Sequence, residues 1–129
     1  MTEWNPKTEQ LIREASEFAF KTFSEVLDPN IGTARTITHL FNQRAAAEDI
    51  YGRVTNELGV DLRKDWQGGI KKIIALADAN NSDAADKLKK IVPVAQQLVD
   101  EFGFTPDTKM GPIKATMTLN KIKKKGYKL

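Results

Sequence analysis

Apolar side chains recur every three or four residues along most of the chain, a pattern typical of helices that bury one face. Residues 82–104 show it most clearly, at Leu88, Ile91, Val92, Ala95, Leu98, Val99 and Phe102. Ser82 is a favourable N-cap, and Gly103 supplies the left-handed residue that commonly ends a helix. Pro93 removes an internal hydrogen bond, so we expect a kink at residues 89–92 or two short helices. This segment predicts the helix against which the other segments pack.

The N-terminal segment predicts another amphipathic helix. Asn5 is a favourable cap, and Pro6 suits the first helical position because it lacks only a donor that would have no partner there. The apolar stripe then continues to about Val26 and is rich in phenylalanine. A stripe at helical spacing is typical of a core, so we interpret it as core and not as the wall of a ligand pocket.

The middle of the chain predicts further helices with less certain ends. Residues 34–58 keep helical spacing but weaken at 42–46, so they form either one long helix or two. Residues 60–69 predict a short turn that Gly68 and Gly69 interrupt, because glycine adds backbone freedom. Ile70 then begins a third helix, which ends near residues 80–81.

The last segment is ambiguous between strand and helix. Apolar and polar residues alternate over 113–119, as in a strand, whereas Pro112 suits a helix start and Gly126 a helix end. No other segment alternates, so a strand here would have no partner. The sequence therefore favours a helix.

Together these elements predict an all-α, single compact domain of about four to six helices with bundle-like packing. Residues 1–111 form the helical body, and residues 112–129 form a basic C-terminal helix or tail of the same domain. The predicted core consists of Leu11, Phe18, Phe23, Ile37, Phe41, Val54, Ile73, Ile74, Leu88, Val92, Ala95, Leu98 and Phe102.

Composition gives little support for catalysis. The chain has no cysteine and a single histidine, His39, so no disulfide, thiolate site or usual zinc-ligand spacing is present. The glycines of residues 67–72 lack the spacing of a phosphate-binding loop. We expect no catalytic residue, cofactor or metal. The N-terminus lacks the features of a signal peptide and no apolar run approaches about 20 residues, so we expect a cytoplasmic protein with no membrane partner. The sequence leaves the oligomeric state open.

Charge is distributed unevenly along the chain. Residues 1–104 carry 13 Lys and Arg against 16 Asp and Glu, a net of −3, whereas residues 105–129 carry seven lysines against Asp107 alone, a net of +6. Such a basic segment predicts binding of nucleic-acid phosphates, with one tyrosine available to stack on a base. The candidate nucleic-acid-binding residues are Lys114, Lys121, Lys123, Lys124, Lys125, Tyr127 and Lys128.

Other interpretations remain open. The terminal lysines could instead serve solubility or a helix dipole, or fold back onto the acids of the body, although the segment offers little to bury. A helical module that binds another protein, of the inhibitor, adaptor or immunity type, is the alternative function. Residues 54–61 resemble the first half of a helix-turn-helix, but Asp65 occupies the expected hydrophobic position. We therefore favour an ordinary helical corner there.

Overall fold

The computed structural model describes residues 4–105 and 110–129, and these ranges contain six helices and no strand. The helices are α1 (Pro6–Leu27), α2 (Thr33–Asn42), α3 (Arg44–Leu58), α4 (Trp66–Ala79), α5 (Asp86–Phe102) and α6 (Pro112–Lys125). The predicted all-α single domain is confirmed. None of these described helices combines the length and apolar character needed to cross a bilayer.

Helix α1 is the centre of the packing. The side chain of Asn5 caps its first turn by accepting a hydrogen bond from the Thr8 N–H at 2.9 Å, as predicted. Its apolar stripe is buried, with Ile12, Phe23 and Val26 almost completely removed from solvent. Helices α2, α3, α5 and α6 all pack on α1, whereas α5 packs on α1, α4 and α6. The expectation that residues 82–104 organise the fold is therefore wrong, and α1 has that position.

Helix α5 begins three residues later than a cap at Ser82 would place it. Ser82 accepts a hydrogen bond from the Ala84 N–H at 3.1 Å and donates one to Glu9 Oε1 at 2.6 Å, so it stabilises a turn before the helix. The Leu88 N–H, in the first turn of α5, donates instead to the buried Ser16 hydroxyl at 3.2 Å. A residue of α1 thus supplies the cap that the local sequence does not.

The middle of α5 runs unbroken through Pro93, so of the two expected outcomes, a kink or two short helices, the second is wrong. Pro93 is exposed, and water therefore has access to the backbone around the missing hydrogen bond. The end of the helix is as predicted. Gly103 has a φ of 62°, and the N–H of the buried Phe104 donates to the Leu98 carbonyl at 3.2 Å.

Gly68 and Gly69 lie inside α4, contrary to the expected interruption. The Asp65 carboxylate caps this helix by accepting from the Gly68 N–H at 3.0 Å. A Cβ atom on Gly69 would lie 2.5 Å from Cδ2 of the buried Leu62. These glycines therefore allow the preceding loop to lie directly on the helix, which compensates for their low helix propensity.

The core largely agrees with the prediction. Seven of the thirteen predicted residues are buried and five are partly buried, but Phe41 is half exposed and does not belong to the core. The structure adds side chains that the sequence analysis left out of the core, among them Leu62, Trp66, Ile70, Leu119 and Ile122. Trp66 packs against Phe23 with 5.5 Å between ring centroids.

Substitution of Leu98 tests the packing of α5. Leu98 is completely buried, so Leu98→Ala should lower the free energy of unfolding by about 2–5 kcal/mol through lost apolar contacts and a residual cavity. Urea denaturation measures this loss. Gln97→Ala, at the exposed neighbouring position, is the matched control and should change stability by less than about 0.5 kcal/mol. A similarly small loss for Leu98→Ala would contradict the packing described.

Candidate nucleic-acid interface on helix α6

Residues 110–129 contain six lysines and no acidic residue. Most of this segment, Pro112–Lys125, forms α6. Pro112 occupies the first helical turn, and Gly126, with a φ of 72°, ends the helix. Helix was therefore the correct choice for this segment. Leu119 and Ile122 are fully buried, because they lie three residues apart on the side facing α1 and α2. The expectation that this segment has little to bury is wrong.

Lys123 lies on the buried side of α6. Its ammonium group donates to the carbonyl oxygens of Glu25 at 2.8 Å and Asp28 at 2.9 Å, at the C-terminal end of α1. A cation is favourable there because the last carbonyls of a helix have no internal partners and carry partial negative charge. Burial lowers the pKa of Lys123, and attraction to Asp28 and Glu25 opposes that shift. The ammonium group of this candidate residue thus binds backbone carbonyls of the protein itself.

Two further candidates contact the C-terminal end of α5. The Tyr127 hydroxyl donates to Glu101 Oε1, and Lys125 Nζ lies 3.5 Å from Glu101 Oε2. The hydrogen bond from Tyr127, followed by the attraction of Lys125, lowers the pKa of Glu101. The same hydrogen bond raises the pKa of Tyr127. The basic segment therefore folds back onto the acidic body at this point.

The remaining candidates, Lys114, Lys121, Lys124 and Lys128, are exposed. Within the described ranges, their side chains make no hydrogen bond or ion pair. Lys114 and Lys121 are seven residues apart and Lys124 follows three later, so the three share the outer face of α6. At 1.5 Å per residue, this row is about 15 Å long. Three exposed charges thus share the outer face of α6, and Lys128 adds a fourth after the end of the helix.

Two apolar side chains share the outer face of α6. Ile113 is 80% exposed and Met117, one turn later, is 56% exposed. Together with Lys114 and Lys121 they line a shallow depression. The outer face therefore changes from apolar near its start to basic towards its end.

The single histidine, His39, lies on α2 and contacts α1. Its ring is partly buried, and Nδ1 lies 3.3 Å from Glu25 Oε2. Across residues 4–105 and 110–129, no three side chains of the His, Cys, Asp and Glu types gather into a possible metal site. The pair joins α1 to α2.

The resemblance of residues 54–61 to a helix-turn-helix does not extend to the structure. That motif joins its helices by about three or four residues. Here residues 59–65, seven in all, separate α3 from α4. Gly59 ends α3 with a φ of 68°, and the Asp65 cap starts α4. The segment is the ordinary helical corner that the sequence favoured.

The inward position of Lys123 was not predicted, although the sequence holds a signal for it. Lys123 follows Leu119 by four residues and so belongs to the same face of a helix. Because lysine side chains are mostly exposed to solvent, this spacing alone did not predict that Lys123 would be buried.

In comparisons of the chain with protein-family models, with curated proteins and with solved structures, no match was found.

Lys123→Met tests the internal role of this lysine, because it keeps most of the aliphatic stem and removes the charge. We expect the free energy of unfolding to fall by about 1.5–3 kcal/mol, the range for a hydrogen bond that involves a charged group. Lys121 is an exposed lysine on the same helix, so Lys121→Met is the matched control. This substitution should change the free energy of unfolding, measured by urea denaturation, by less than about 0.5 kcal/mol. Equal losses in the two variants would contradict an internal role for Lys123.

Tyr127→Phe tests the contact with Glu101 through its pH dependence. Because the folded-state pKa of Glu101 is lowered, its stabilising contribution is complete above the ordinary value of 4.5 and is lost as pH falls through the folded-state value. The variant should therefore be less stable than wild type at pH 7. The difference between the two should narrow below pH 4.5, as measured by urea denaturation across the acid range. A difference that stays constant down to pH 2 would contradict this contact.

Proposed function

We propose that the protein binds nucleic acid without catalysis, through the outer face of α6 and the residues that follow it. The observation that carries this proposal is the row of Lys114, Lys121 and Lys124 on the outer face of α6, followed by the exposed Lys128, with no acidic residue in 110–129. Lysines in such a row attract phosphates and release their condensed counterions. The interaction is one of charge and is independent of base sequence.

The way α6 is held supports this function. Lys123 and Tyr127 attach its C-terminal half to α1 and α5, so the outward lysines are presented from a fixed helix. Less conformational freedom is then lost when a partner binds. Residues 1–104 carry a net charge of −3, which repels a polyanion from the rest of the surface and favours approach to α6.

Binding to a short DNA duplex at several salt concentrations tests the proposal. Contacts from four lysines predict that log affinity falls with log salt at a slope of roughly −3.6. The variant in which Lys114, Lys121, Lys124 and Lys128 are all changed to Gln should lose most of this slope and keep its melting temperature.

A second quadruple variant controls for net charge. Lys64, Lys71, Lys72 and Lys90 are also exposed but lie outside α6, and their change to Gln alters net charge by the same amount. This control should keep the slope of wild type. If DNA affinity fell equally in both quadruple variants, the DNA would be attracted by the net charge of the whole protein. That result would contradict an interface on α6.

Binding of another protein is the second candidate function, and the exposed Ile113 and Met117 favour it. Apolar side chains on an outer helix face are typical of protein interfaces, whereas phosphates make no use of them. No binding of the intact chain to DNA or RNA at low salt would end the nucleic-acid proposal and favour this one. Ile113→Ser with Met117→Ser should leave nucleic-acid affinity within about twofold if the first proposal holds.

A further inference from the structure

A cleft of about 400 Å³ lies between α1, α2, α3 and α6, away from the lysine row. Its floor is mainly apolar and includes Phe18, Ile37, Leu40, Tyr51, Phe104 and Leu119. A volume of this order is within the range of small-molecule sites, which are apolar with a few polar groups at defined places. The polar residues here include Gln43, Arg44, Glu48 and Arg63.

The two arginines of the cleft differ in what they already bind. Arg63 pairs with Glu48 at 3.2 Å and with Asp61 at 3.6 Å, so its charge is neutralised within the protein. The guanidinium of Arg44 instead lies 4.9 Å from the centre of the Phe41 ring. Among the described residues Arg44 has no carboxylate partner, so its planar donors remain available at the edge of the cleft.

We infer that this cleft binds a small amphipathic carboxylate, with its apolar chain on the floor and its carboxylate on Arg44. Among the described residues that line the cleft, Arg44 is the cation without a carboxylate partner, and it favours an anionic over a neutral ligand, because Glu48 and Asp61 balance the charge of Arg63. A guanidinium matches a carboxylate with two parallel hydrogen bonds. The apolar floor contributes affinity in proportion to the ligand surface that it covers.

Octanoate and 1-octanol separate the two parts of this inference, since they share a chain and differ in charge. Calorimetric titration of the intact protein should show octanoate binding about tenfold more tightly than 1-octanol, the factor for one charge-assisted hydrogen bond. Arg44→Gln should remove this preference. Arg35 is an exposed arginine on α2 that does not line the cleft, so Arg35→Gln should keep the preference for octanoate.

A second pair of variants tests the location. Ala47 lines the cleft, so Ala47→Phe should fill part of it and weaken octanoate binding at least tenfold. Its exposed neighbour Ala46 does not line the cleft, and Ala46→Phe should bind as wild type does. Melting curves verify that each variant is folded.

Three results would overturn the inference. They are no binding of octanoate at millimolar concentration, equal affinity for octanoate and 1-octanol in wild type, and undiminished binding by a folded Ala47→Phe. Loss of DNA binding in the lysine variants bears on α6 alone, so the two proposals fail separately.

Discussion

Helix α1 supplies hydrogen-bond partners at the ends of two other helices, and the arrangement of the domain depends on them. Its Ser16 hydroxyl accepts from the Leu88 N–H at the start of α5, and the carbonyls of Glu25 and Asp28 accept from Lys123 of α6. Buried polar groups are costly without partners. Each of these contacts therefore favours one position of α5 or α6 along α1.

Apolar burial alone would not fix those positions. The hydrophobic effect is non-directional, and side chains such as Ile12, Phe23 and Val26 gain from any close contact. The polar contacts at the two sites on α1 select among the arrangements that bury a similar area. In this domain the apolar stripe of α1 contributes to the free energy of folding. The polar contacts of Ser16, Glu25 and Asp28 determine where α5 and α6 lie along α1.

Features fixed by neighbouring residues could be predicted from the sequence, and those fixed by distant ones could not. The caps at Asn5 and Gly103 are local and were found. The start of α5 depends on Ser16, which is 72 residues from Leu88, so the local signal at Ser82 was misleading. Gly69 in α4 is explained by Leu62 of the preceding loop, which lies against it in the folded chain. The lysines of residues 110–129 could be named as candidates, but only the fold distinguishes the internal Lys123, and Lys125 paired with Glu101, from the other four. The cleft is formed by four helices and had no signature along the chain.

Helix α6 contributes to both candidate sites through different faces. Ala115 and Leu119 face the cleft, whereas Lys121 and Lys124 face outward from the C-terminal half. That half is held by Lys123 against α1 and by Tyr127 against α5. A ligand influences a second site only if it binds two arrangements of the protein with different affinity. Because these contacts hold the C-terminal half of α6, we expect occupancy of the cleft to leave Lys121 and Lys124 in place, whereas Lys114 lies outside that half, beside Ala115 of the cleft.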